Sequence, residues 1–146
     1  MLFKTPLLAA LFFALGTLAG ESHPYAYSQN VKITPIFKTS TTWAGQPLAY
    51  SKTDAPEATM LVAEIPPGKE TGRHTHPFQG YTYIISGTLT VVTKERSITV
   101  HAGQGFAETV NTPHDGKNLG KEPVKLVVVY TGEKGMPFTV KIPNGS

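Results

Sequence analysis

The sequence predicts an all-β fold of the sandwich or barrel type, on three observations. Short runs rich in β-branched and aromatic residues follow one another at close spacing. Glycine (14) and proline (12) punctuate those runs in a chain of 146 residues, which favours many turns over long helices. No window carries the 3.6-residue apolar period of a surface helix.

Taken in order, VKITPIF (31–37) contains Pro35 and suits an edge strand, because proline cannot donate to a ladder. ATMLVAEI (58–65) is stopped by Pro66, Pro67 and Gly68. GYTYIIS (80–86) and TLTVVT (88–93) flank Gly87. RSITVH (96–101) runs into the turn AGQG. VKLVVVYT (124–131) is the longest β-branched run, and FTVKI (138–142) closes the chain. No long repeat and no second domain is visible, and the length suits one domain with a core of its own.

Composition removes several function classes. With 40% hydrophobic and 16% charged residues the chain is of globular rather than disordered type. The formal charge of +3 comes from Lys and Arg scattered singly, so no nucleic-acid partner is expected. There is no cysteine, which excludes disulfides, thiolate catalysis, iron–sulfur clusters and Cys-based zinc sites. Any metal must be held by nitrogen and oxygen.

The first residues read as a secretory signal peptide, 1–19: Lys4, an apolar run from Leu7 to Leu15, then Thr17 and Ala19 placed as a small-residue cleavage pair. Cleavage is expected after Ala19, with Gly20 the neighbouring option, leaving a domain of residues 20–146 in the periplasm or secreted. The run is short of the ~20 apolar residues a span requires, so no stable membrane insertion is expected after cleavage. A retained anchor is the alternative. Residues 21–30 form a polar lead-in.

The chemistry concentrates in GRHTHPFQGYTYIISG (72–87). On a strand, residues i and i+2 share a face, so His74 and His76 can meet one cation. An isolated pair of this kind also reads as two surface histidines or a satisfied core pair. His114, in TPHDGKN, is the third candidate ligand. His23 lies in the lead-in, and His101 ends a strand before a turn.

Gly68, His74, His76 and Gly87 together resemble the first motif of the cupins. Gly103, His114 and Asn118 resemble the second, with Thr109 where that family usually has proline and Asn111 where it usually has glycine. Residues 88–102 separate the two motifs. The motif core is 68–118, within a barrel of roughly 58–131 set by the strand pattern. The stretches TWAGQPLAY, IPPGKETGRHTHP, YIISGTLTV, AGQGFAETVNTPHDGKNLG and VVVYTGEKGMPFTV are similar to small single-domain bacterial cupins, many of which carry signal peptides. The resemblance implies a cupin-type barrel (a double-stranded β-helix or jelly roll) and a divalent metal (Fe, Mn, Ni, Cu or Zn). It leaves the reaction open, since cupins include dioxygenases, isomerases, epimerases, lyases and pure binders.

The departure from the family is at Gly80, where the usual glutamate ligand falls. Two replacements stand beside it. Gln79 offers an amide oxygen. Glu108 shares strand parity with Phe106 and so faces inward if Phe106 does. Glu108 would ligate the metal, hydrogen-bond a ligand histidine, or act as general base; a rim salt bridge to a lysine is the plain alternative. The leading expectation is a site of His74, His76 and His114, whose three neutral ligands leave the cation its full +2 charge and favour a bound anion. Tyr81 or Tyr83 is expected to orient the substrate. Asn118 is expected to fix a turn or a contact behind the site.

The function expected is an exported single-domain cupin that binds a divalent metal and acts on a small organic molecule, with metal-dependent oxygenase chemistry the first guess. A non-catalytic binder of a metal or small ligand is the alternative, and a purely structural barrel is the third class. Exposed edge strands make a homodimer the expected assembly, if there is one.

Overall fold

The structure is a computed structural model describing residues 30–143; the segment 1–19, expected to be a signal peptide, lies outside the described residues. The chain divides into two units at Ile33/Thr34, and every strand belongs to the second. Among the described residues there are nine strands: β1 (Pro56–Ile65), β2 (His74–Thr75), β3 (Gln79–Ser86), β4 (Thr88–Val92), β5 (Ser97–His101), β6 (Gly105–Ala107), β7 (Asp115–Lys117), β8 (Val124–Glu133) and β9 (Val140–Lys141). One antiparallel sheet has the order β1-β8-β3-β6, a second β5-β4-β7, and β2 pairs with β9. This is the all-β jelly roll of a cupin-type barrel.

The alternation of β8 shows why these residues form these strands. Val124, Leu126, Val128 and Tyr130 are buried, while Lys125 is exposed and Val127 and Val129 are half-buried. The inward set packs with Ile65, Ile84, Leu89, Val91, Val100 and Phe106 in one cluster. Burying each such side chain contributes roughly 1.5–3 kcal/mol. Gly87 carries the chain from β3 to β4 with φ +80°, and a Cβ there would lie 2.6 Å from the Pro123 carbonyl oxygen. Only glycine suits both constraints.

Two sequence expectations are corrected. Residues 31–37 form no strand. Pro35 removes a donor, and what the structure shows of this segment is side-chain contact. The Phe37 ring stacks with Tyr81 (6.4 Å between centroids) and covers Gly105 on the edge strand β6. The closing run 138–142 shortens to the two residues of β9. The strands β2, β6 and β7 are two or three residues long, too short for an alternation to show in the sequence.

Candidate metal centre

His74 is placed by two ladders. Its strand β2 pairs with β9, and its backbone exchanges both hydrogen bonds with His114 at 2.9 Å. His76 follows two residues later, and its carbonyl accepts from Asn111 N at 2.8 Å. Asn111 has φ +50°, a left-handed conformation that asparagine tolerates better than most residues. That accounts for asparagine where the resemblance expects glycine.

The three histidines are brought together. Their ring centroids lie 4.4 to 4.9 Å apart, and their candidate ligand atoms all lie within 4.8 Å of one another. Each Nδ1 faces a backbone carbonyl: His74 to Gly72 O at 2.7 Å, His76 to Phe138 O at 2.8 Å, His114 to Thr112 O at 2.9 Å. A carbonyl only accepts, so each Nδ1 carries the proton and each Nε2 keeps its lone pair. Thr71, Thr139 and Thr109 hydroxyls lie 3.5, 3.3 and 3.1 Å from the same Nδ1 atoms. Burial lowers the pKa of all three histidines, that of His76 to about 3. The rings are therefore neutral, as metal binding requires.

Glu108 lies beside them. It is 7% exposed and follows Phe106 inward. Oε1 accepts from the Thr82 hydroxyl at 2.5 Å, while Oε2 lies 3.7 Å from His114 Nε2 and has no hydrogen-bond partner. Burial pushes the Glu108 carboxyl up to about 7. The 3.7 Å contact is no ion pair in the metal-free protein, because burial holds His114 neutral. Three fixed imidazole lone pairs and a buried carboxylate oxygen without a partner form a donor set that fits a divalent cation.

Gln79 is buried on the other side of β3. Its Nε2 donates to the Gly80 and Glu108 carbonyls at 3.0 and 2.9 Å, and the residue does not line the cavity. Tyr81 is a correction. Gly80, Thr82 and Ile84 are buried along β3, whereas Tyr81 and Tyr83 are half-buried on its outer face. The Tyr81 hydroxyl donates to Tyr50 at the surface, 2.9 Å away. The tyrosine facing the histidines is Tyr130, whose hydroxyl lies 3.3 Å from His76 Nε2 and whose ring stacks on Phe138 and lies tilted against His76. Burial pushes its pKa well up, so it is a neutral phenol that can donate to Nε2. Its signal in the sequence is parity with Leu126 and Val128. Asn118 fixes the turn after β7: Nδ2 donates to the Ile65 and Glu122 carbonyls, both at 2.8 Å.

Histidines, Glu108, Thr82 and Tyr130 form the polar side of a cavity of about 220 Å³. Ile65, Leu89, Val91, Phe106, Leu126 and Val128 form the apolar remainder, and Phe138, Thr139 and Lys141 of the C-terminal segment border it. The volume is below the ~300–1,000 Å³ of sites for drug-sized ligands, so the cavity suits a small molecule.

Residues 61–130 match the cupin domain family. Solved structures share the cupin fold at low identity. The DMSP lyase DddQ from Ruegeria pomeroyi is 21% identical, with TM-score 0.53, over 70% of this chain and 49% of that one. An uncharacterised conserved protein with a double-stranded β-helix domain from Klebsiella pneumoniae is 20% identical, with TM-score 0.52, over 64% and 90%. The polyketide cyclase RemF from Streptomyces resistomycificus is 19% identical, with TM-score 0.50, over 60% and 63%. The chain spans about half the length of the DddQ lyase. These likenesses concern the fold alone. No curated protein sequence matches the chain.

Proposed function

We propose that this cupin binds a divalent metal ion through His74, His76 and His114 and uses it on a small organic molecule. The observation that carries the reading is the set of three Nδ1 protons tied to backbone carbonyls, which leaves three unprotonated Nε2 atoms for one cation, that of His76 beside the Tyr130 hydroxyl. Fe, Mn, Ni, Cu or Zn suits such nitrogen donors, and the metal when bound would supply Lewis acidity and open positions, with oxygenase chemistry the first candidate. The chain's own residues do the rest. The apolar wall from β4, β6 and β8 takes the body of the ligand and excludes water. Tyr130 offers a hydroxyl beside the His76 ring, and Thr82 holds one oxygen of Glu108. DddQ and RemF are named for reactions of small organic molecules, which agrees with this class. The leader-like pattern of residues 1–19 supports a site of action in the periplasm or outside the cell. β1, at the edge of its sheet, offers a pairing edge to a second copy.

The test is elemental analysis of the purified mature protein, followed by oxygen uptake across phenols, diketones and thiols. About one equivalent of metal is expected, lost in His74→Ala. A metal-free protein whose stability is unchanged by His74→Ala overturns the reading. Stoichiometric metal with ligand binding but no turnover makes the protein a binder.

A further inference from the structure

We propose that Glu108 is the fourth protein donor of the metal centre, a carboxylate that reaches the histidines from just beyond β6, opposite Gly80. The proposal rests on the metal reading above and adds a ligand to it.

Gly80 and Glu108 are neighbours across the sheet. The β3–β6 register pairs Tyr81 with Ala107, and one step further Glu108 N donates to Gly80 O at 2.8 Å. The inward space over Gly80 is already filled. A Cβ at residue 80 would lie 2.7 Å from Tyr130 Cε1 and 3.0 Å from Glu108 Cγ. The volume a side chain on β3 would enter is occupied by Tyr130 of β8 and by the carboxylate-bearing Glu108 just after β6.

The two oxygens of that carboxylate are unlike. Oε1 is satisfied by Thr82. Oε2 is buried, unpartnered and 3.7 Å from His114 Nε2. His114 has committed its proton to Thr112 O, so its Nε2 has none to give. A protonated Oε2 would not reach Nε2 either, since 3.7 Å is beyond a hydrogen bond. Two acceptors facing each other in a buried site are costly unless something positive joins them. A cation with bonds of ~2.0–2.2 Å to N and O would bridge two such donors at most about 4.4 Å apart, and Oε2 and Nε2 lie 3.7 Å apart. Gln79 Oε1 is also buried without a partner, but the amide is held by Nε2 on the Gly80 and Glu108 carbonyls and the residue does not line the cavity, so that oxygen does not serve instead. With Glu108 ionised and bound, the centre carries +1 rather than +2, which weakens the expected preference for anionic ligands.

The experiment uses Co²⁺ as the probe on wild-type protein, Glu108→Gln, Glu108→Ala and His74→Ala. The readouts are the Kd by titration and the visible Co²⁺ spectrum. Glu108→Gln is expected to raise the Kd at least tenfold and to shift the band positions; His74→Ala is expected to weaken binding at least as much. Circular dichroism checks folding, and Glu108→Gln, closest in shape, carries the test if the alanine variant does not fold. Unchanged Kd and spectrum in Glu108→Gln overturn this proposal and leave the three-histidine reading standing. A wild-type protein that binds no Co²⁺ overturns both.

Discussion

In metal-free protein, Glu108→Gln should stabilise the fold at pH 8 and have little effect at pH 4. Burial raises the Glu108 pKa from 4.5 to about 7. Between those values the folded state keeps a proton that the unfolded chain has lost. Stability is therefore lost as pH rises from 4.5 through 7, and the full cost is present above 7. A rise of that size corresponds to about 3 kcal/mol. Glutamine does not ionise, so the variant is spared the cost. For a domain of this size the gain amounts to an increase in Tm on the order of 10 °C. The three histidines have lowered pKa values, which withdraw stability as pH falls below 6.5. They do so in both proteins and largely cancel in the comparison. The assay is urea or thermal unfolding of chelator-treated wild type and variant at pH 4, 6 and 8. A stability difference that stays flat across that range would refute the argument.

Three further outcomes follow from the same geometry. Gly80→Ala pushes a methyl group into Tyr130 and Glu108 and should destabilise by about 1–3 kcal/mol in urea unfolding. Ending the chain at Gly135 removes the Phe138 carbonyl that holds His76 Nδ1 and the β9 partner of the His74 strand. The barrel's circular dichroism should persist while metal affinity drops about 10–100-fold. Because burial lowers the pKa of the ligand histidines, bound metal should be retained below pH 6.5, where exposed histidines are already protonated; metal release followed against pH gives the midpoint.

The barrel is legible in the sequence because a strand with one buried face repeats every two residues, and VKLVVVYT does so with little noise. The same period places Glu108 with Phe106. Applied to β3 it also places Gly80 and Thr82 inside and Tyr81 outside, so the aromatic character of Tyr81 was a weaker guide than its parity. The stretch 31–37 shows the opposite limit. Its β-branched residues allow a strand, but pairing needs a partner edge, and no single-sequence pattern reports one. Tyr130 reads as the last residue of a core run until the register sets it over Gly80. The acceptor for His76 is harder still. It is a backbone carbonyl 62 residues away, and a carbonyl has no letter of its own.

That long-range acceptor also orders the protein's assembly in time. A chain synthesised only as far as Glu133 already contains both long strands of the main sheet and all three histidines. What it lacks is Phe138 and β9, so the His76 ring has not yet been given its tautomer by that carbonyl and the strand of His74 has not yet met β9. The centre is finished by residues that leave the ribosome after the main strands, and a nascent barrel is a poorer trap for metal than one that has received them.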